Sequence, residues 1–422
     1  MIKHIWTMIW NQRSGNSWIF LELLLVFGVL WVMMDSMLVN LCTYQRPLGF
    51  DITNVYMVNI GKKTEGISGY KPDSLLETSV GEDLVRLTGN IRRAPEVDEV
   101  CIAYASCPYT WSNSWTTLVR ADADTSMKAD YFQCFRTTLS YFDVLRVKDR
   151  EGRLLRPIVE NNIGGLVITA DLEDKFFEGK SGIGQQVKWS AEETESMTVA
   201  AVTSSVRQNE FSVSTPCLYR LMRTDEEVVE MTSWAKAENV DCLVRMKDGF
   251  KAEDMEAFLD KMGEQLEVNN LYVSCVIPLE EQRPVILKGR MDNLKRKIAL
   301  VGFMLVNVFF GIVGTFWLRT QYRRGEIGLR SALGASRGTL KRYLDVEGLS
   351  LLVFTIPFVL IFIANTLYFD LPDTVKMAYT WWRFLITFGS AFLLLAGMIW
   401  VGIWFPARKI AKMDPAESLH YE

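Results

Sequence analysis

Residues 285–318 read VILKGRMDNLKRKIALVGFMLVNVFFGIVGTFWL, and this stretch decides the fold. Its second half, Ala299 to Leu318, holds no charged residue. That is about the 20 residues needed to cross a hydrocarbon core. From the first half into the second, Leu287, Met291, Leu294, Ile298, Val301 and Leu305 recur at alternating spacings of four and three. Such spacing is the a/d seam of a packed helix. No proline interrupts it. A helix over the whole stretch would be about 50 Å long at about 1.5 Å per residue, well beyond the roughly 30 Å of the apolar core. The pattern therefore predicts a stalk helix, 285–318, that enters the membrane as a second span. Leu287, Met291, Leu294 and Ile298 form its seam.

Three other stretches have the length and composition of spans: 18–41, 348–369 and 384–405. Between the first span and the stalk lie residues 42–284, polar enough to be a folded domain and long enough for two lobes. The first span exceeds the apolar run of a signal peptide and no A-x-A site follows it, so it is expected to be a retained anchor. The basic residues fall on one side. The loop 319–347 carries Arg319, Arg323, Arg324, Arg330, Arg337, Lys341 and Arg342 against Glu326, Asp345 and Glu347, and the tail 406–422 adds Arg408, Lys409 and Lys412. The short loop 370–383 shows no excess. By the positive-inside rule both termini are expected in the cytoplasm and the large domain outside, as in a bacterial inner membrane protein with a periplasmic domain. Residues 1–17 begin with an amphipathic stretch, its apolar face made by Ile2, Ile5, Trp6, Ile9 and Trp10, suited to lie in the interface.

The outer region mixes strand and helix signals: strands at 53–60, 97–104, 166–169, 186–189, 197–202, 241–246 and 272–277, and helices at 74–91 and 252–266. The expected architecture is an α-helical membrane protein with four transmembrane helices plus a large α+β extracytoplasmic domain inserted between helices 1 and 2.

Composition narrows the function. The 46 Lys and Arg against 50 Asp and Glu, net −4, argue against nucleic acid as a partner. The two histidines, His4 and His420, stand at the chain ends. The outer domain therefore lacks Ser-His-Asp, Cys-His and His-based zinc chemistry. No G-x-x-x-x-G-K-[ST] loop and no C-x-x-C pair occur. The chain reads as non-catalytic, with no metal site. Its seven cysteines leave disulfides and buried thiols both open. Glu22 and Asp35 lie near the two ends of the first span and are read as interfacial or helix-packing groups rather than a transport path.

The loop 319–347 is longer than a bundle connection needs. Ile327, Leu329, Ala332 and Leu333 make an apolar face beside Glu326, which suits a helix start. From the residues alone, a docking element and a simple positive-inside anchor both fit. A channel or secondary transporter fits poorly, because the other three spans lack charges in their central stretches and the chain shows no internal repeats. A membrane receptor whose outer domain senses an envelope ligand stays open.

The run Arg323-Arg324-Gly325-Glu326-Ile327-Gly328-Leu329-Arg330-Ser331-Ala332-Leu333-Gly334-Ala335-Ser336-Arg337 resembles the coupling-helix signature of FtsX/MacB-like ABC transporter permeases, of the type VII superfamily. Glu347-Gly348-Leu349 is similar to the start of their third span. The tail from Pro406 to Leu419, with Asp414-Pro415-Ala416-Glu417, resembles their C-terminal motif. Tyr141-Phe142-Asp143-Val144-Leu145 and Gly182-Ile183-Gly184-Gln185-Gln186-Val187 look like landmarks of their outer domain.

The resemblance implies a periplasmic core domain with a porter-like and a β-rich lobe. It implies a second permease chain, in a homo- or heterodimer, and a cytoplasmic ABC ATPase that holds the ATP and Mg, this chain binding no cofactor. ATPase coupling would fall to Glu326, Ile327, Gly328, Leu329, Arg330, Ala332, Leu333, Gly334, Ala335 and Arg337. The implied action is mechanotransmission, serving efflux or release of a peptide, drug, lipid or lipoprotein, or control of an envelope enzyme, with membrane lipid and a membrane-fusion or other periplasmic protein as further partners.

Overall fold

The computed structural model describes residues 13–110, 112–122, 129–162, 164–322, 325 and 336–410. In chain order the elements are α1 (Arg13–Tyr44), β1 (Val55–Lys62), α2 (Val80–Arg92), β2 (Val97–Tyr104), β3 (Trp115–Arg120), β4 (Asp130–Thr138), α3 (Tyr141–Val144), α4 (Arg156–Glu160), β5 (Leu166–Thr169), α5 (Ala170–Phe176), β6 (Gln186–Lys188), β7 (Met197–Thr203), β8 (Cys217–Met222), α6 (Asp225–Trp234), β9 (Asp241–Met246), α7 (Met255–Met262), β10 (Glu267–Val268), β11 (Leu271–Pro278), α8 (Leu279–Tyr322), α9 (Arg337–Tyr368) and α10 (Trp381–Ile410). They form two compact units, Met1–Tyr44 with Arg290–Glu422, and Gln45–Gly289.

In the first unit α1, α8, α9 and α10 each contain a stretch long and apolar enough to cross a membrane. The buried stripes recur every three to four residues, as helical packing requires: Ile19, Leu23, Phe27 and Leu30 on α1, and Ala391, Leu395, Ile399 and Ile403 on α10. Glycines let backbones approach. A Cβ at Gly402 would press on Ile312 of α8 at 3.0 Å. Only one side of α8, with Val301, Val308 and Ile312, joins this core. Its other side leaves Phe303, Val306 and Phe310 exposed.

The second unit is built on one eleven-stranded sheet, ordered β10-β11-β1-β9-β2-β4-β3-β6-β7-β5-β8. Its far edge curls back, because β8 also pairs in parallel with β4. Six strands, β4, β3, β6, β7, β5 and β8, thereby close a ring. Closure removes the edge that a long sheet would leave open. The ring is filled by Leu118, Phe132, Cys134, Ile168, Val187 and Leu218. The remaining strands carry α2, α6 and α7 over a separate core that includes Val58, Leu84, Val100, Val244 and Phe258.

Local chemistry sets the element ends. The apolar spacing predicts a helix from Ser74, but α2 begins at Val80. Ser79 accepts from the Glu82 N–H and Glu82 answers to the Ser79 N–H, a closed capping box, which fixes a start more strongly than periodicity does. Strands β3, β4 and β8 escape the sequence reading. β4 is buried on both faces over Phe132–Phe135, so the period-two alternation that betrays a strand is absent.

The cysteines are free. Cys101, Cys107, Cys134, Cys217 and Cys242 are buried, whereas Cys275 is exposed. Burial pushes the Cys242 thiol up to about 12 and moves the Cys101 and Cys107 thiols well above the usual range. Neutral, buried thiols react slowly. Iodoacetamide at neutral pH should therefore label Cys275 in the folded outer domain and leave the five buried thiols untouched until denaturant is added. Peptide mapping by mass spectrometry reads this. Labelling of Cys101 or Cys242 at the rate of Cys275, or a disulfide between any two, would contradict the packing.

Candidate functional site

The irregular segments that join the membrane helices to the β domain, together with the loop that opens α10, are held by buried arginines. The first is Arg383, fully buried in the opening turn of α10. Its Nε and Nη2 donate to the two carboxylate oxygens of Asp35 on α1, at 2.8 and 2.6 Å. Its Nη1 donates to the carbonyl of Asp373 at 3.0 Å and to that of Met377. The guanidinium also lies 5.1 Å from the Tyr379 ring. Burial, with the Asp35 charge adding to it, pushes the Tyr379 hydroxyl up to about 12, so it stays protonated. One turn of α1 thus faces two helices: Lys297 of α8 donates to Ser36 at 2.6 Å. At the opposite end of α1 the Glu22 carboxylate lies against α8, where a Cβ at Gly311 would collide with it.

The second arginine is Arg207. Its Nη1 donates to the carbonyl of Arg46 at 2.7 Å, its Nε to that of Ser212 at 2.9 Å, and its Nη2 to that of Glu210. Arg46 stands two residues beyond the end of α1. Glu210 in turn is 3% exposed. It accepts from the Tyr109 hydroxyl at 3.0 Å and pairs with Arg283, in the opening turns of α8, at 2.6 Å. One loop of the β domain therefore grips both the segment that leaves α1 and the start of α8. The third is Arg245, 1% exposed. It donates to the carbonyls of Val144, Thr53 and Asp51 at 2.6, 2.6 and 2.8 Å, and so pins the rest of the segment between α1 and β1.

Of the residues singled out from the sequence, Leu287 is buried, Met291 and Leu294 are half-buried, and Ile298 is 49% exposed. Helix α8 begins at Leu279, earlier than the seam alone suggests, and is 44 residues long. Glu326, Ile327, Gly328, Leu329, Arg330, Ala332, Leu333, Gly334 and Ala335 lie outside the described residues, as do the stretch 1–12 and the end of the tail. Arg337 is the first residue of α9, whose N-cap Ser336 accepts from the Thr339 N–H. The three buried arginines were missed. Arg383 reads as one more charge in a loop, although an acid near the end of one span and a base at the start of another was a usable signal.

Residues 298–415 match the family model for the FtsX-like permease C-terminal region. This part of the chain is similar to the FtsX-like permeases. Over 139 residues, 32% of its length, the chain is 29% identical to the macrolide export ATP-binding/permease protein MacB of Pasteurella multocida (strain Pm70). That match spans 21% of the relative. Among solved structures it shows a likeness to the periplasmic region of MacB from Actinobacillus actinomycetemcomitans, at 15% identity and a TM-score of 0.34, covering 56% of this chain and 94% of that one. A second likeness is to the extracellular domain of the noncanonic ABC-type transporter YknZ from Gram-positive bacteria, at 12% identity and a TM-score of 0.29, covering 52% and 100%. Scores this low decide nothing here. The resemblance to the FtsX/MacB-like permeases seen in the sequence is borne out by the family match.

The Asp35–Arg383 pair gives a direct test of the packing of the membrane helices. Removing one partner of a buried ion pair leaves an uncompensated charge, at about 3–5 kcal/mol. Asp35→Asn should lower the thermal unfolding midpoint of the detergent-solubilised protein by several degrees. The double change Asp35→Leu with Arg383→Met should recover part of the loss. Equal midpoints for Asp35→Asn and wild type would show that the pair is not formed.

Proposed function

We propose that this permease is the membrane subunit of an ABC transporter and works with a separate cytoplasmic ATPase that carries the ATP and Mg. In this reading ATP-driven motion reaches the β domain through α8, by mechanotransmission, with the β domain outside the cell membrane and both termini inside. The work done is export or release of a peptide, drug, lipid or lipoprotein, or control of an envelope enzyme. The observation that carries it is the FtsX-like match over residues 298–415, the region that contains the basic loop and its apolar face. The matched relative's name joins ATP-binding and permease in one protein, which fits a partnership of those two parts. The continuity of α8 supports the mechanical part. Its 44 residues measure roughly 66 Å, more than twice the apolar core of a bilayer.

A second permease chain belongs to the proposal. The exposed side of α8 carries Asn307 between Phe303 and Phe310. Its amide donates to the carbonyl of Phe303 on the same helix, which leaves its side-chain oxygen for a facing helix. Polar side chains at membrane depth favour such pairing.

The ATPase contact is assigned to Ile327, Leu329, Ala332 and Leu333, with Glu326, Arg330 and Arg337 around them. Burying one apolar side chain is worth about 1.5–3 kcal/mol, about tenfold or more in affinity. An unpaired charge in the same groove costs more, since it is desolvated without a partner. Leu329→Glu or Leu333→Glu should abolish co-purification with the ATPase and stimulation of its activity, while membrane insertion is unchanged. Arg330→Ala should weaken binding most at low salt. Wild-type affinity in both Glu variants would reduce the loop to a positive-inside anchor and remove the transporter reading.

A further inference from the structure

The ring of strands carries two arginines, Arg136 and Arg220, that form no ion pair among the described residues. Arg136 on β4 and Arg220 on β8 are direct partners in the parallel pairing of those strands, and neighbouring strands lie about 4.8 Å apart. Two residues earlier, Cys134 and Leu218 are also partners and belong to the core inside the ring. Side chains two apart share a face, so both guanidiniums stand at the mouth of the ring, over Cys134. Burial pushes the Cys134 thiol up, while the Arg136 and Arg220 charges pull against it.

Each guanidinium has an indole beside it. Arg136 lies 5.0 Å from the Trp234 ring centroid and Arg220 lies 5.6 Å from that of Trp189. Tyr104 packs edge-on against Trp234 at 5.0 Å. What is missing is an acid. Among the described residues neither arginine forms an ion pair, and the buried Nε of Arg136 has no hydrogen-bond partner. Glu193, four residues beyond Trp189, accepts from the Trp189 backbone N–H at 3.3 Å.

Two like charges held side by side oppose folding, and a buried donor without an acceptor calls for an explanation. Guanidinium forks match carboxylate and phosphate oxygens. Indole faces accept flat apolar groups, and the mouths of β-barrels are frequent ligand sites. We propose that the mouth of the ring, with Arg136 and Arg220 between Trp189 and Trp234, binds a small molecule that carries an oxyanion, carboxylate or phosphate, on a flat apolar body. The site lies within the β domain and is independent of the ATPase partnership.

Equilibrium dialysis of the full chain in detergent micelles, corrected for empty micelles, tests this with indole-3-propionate, its methyl ester and phenyl phosphate. Saturable binding of at least one of the two acids is expected, the preferred acid telling carboxylate from phosphate, with the ester about tenfold weaker or more. Arg220 is exposed, so Arg220→Gln should keep the native circular dichroism and gel-filtration profile. It should nevertheless weaken acid binding about tenfold or more, the loss of a charge-assisted contact. Arg136→Gln should do the same, and Trp234→Ala should weaken the aromatic acids. Equal binding of ester and acid, wild-type affinity in the folded Arg220→Gln variant, or no saturable binding by either acid would each overturn the assignment. Failure of the ATPase to co-purify leaves this result unaffected.

Discussion

A chain that leaves a membrane, folds a large domain and re-enters needs two connections, and irregular backbone leaves carbonyls without helical or ladder partners. Buried guanidinium groups supply the donors here. A planar fork with five N–H groups can bridge several carbonyls at once. Arg207 and Arg245 do so for the segment after α1, and Arg383 does so for the loop before α10. Each such group is costly to bury alone. The three are therefore stable only as long as the segments they hold stay in place, which couples the order of the connections to the order of the cores around them.

The same economy explains why the β domain reads as it does. Its sheet is too long to lie open, and the β4–β8 pairing closes one end into a ring. That closure places β4 in both the ring and the open part of the sheet, with Phe132 and Cys134 facing one core and Phe135 facing another. A strand with two apolar faces carries no alternation. β4 therefore hides from a search for alternation, whereas β2 and β9, also buried on both faces over Val100–Ala103 and Cys242–Met246, are legible within a residue or two as short apolar runs.

The membrane unit was the most legible part, because apolar length is a property of a single stretch and needs no partner. The ion pair inside it was not legible. Asp35 and Arg383 are 348 positions apart, and each alone looks like a charge at a span end. Glu210 and Arg283 pose the same difficulty: an acid in a loop meets a base at a helix start only once the sheet has folded. Periodicity reports which face is buried, never which polar group meets which. The start of α2 was misplaced for a related reason, since the capping box at Ser79 and Glu82 acts on the backbone and leaves no mark on the apolar pattern.

Saturation separates the arginines of this chain by role. Arg383 spends its donors on a carboxylate and two carbonyls, and Arg245 spends its donors on three carbonyls. At 0–1% exposure neither guanidinium can meet a ligand, and their chemistry is that of fasteners. Arg136 and Arg220 differ in kind. They are brought side by side by strand register, flanked by indoles, and left without an acid. Arg136 is half-buried and Arg220 exposed, so water can solvate them and a ligand can reach them. That access, joined to the two indoles, is what distinguishes a mouth suited to an oxyanion from the closed sites of Arg245 and Arg383.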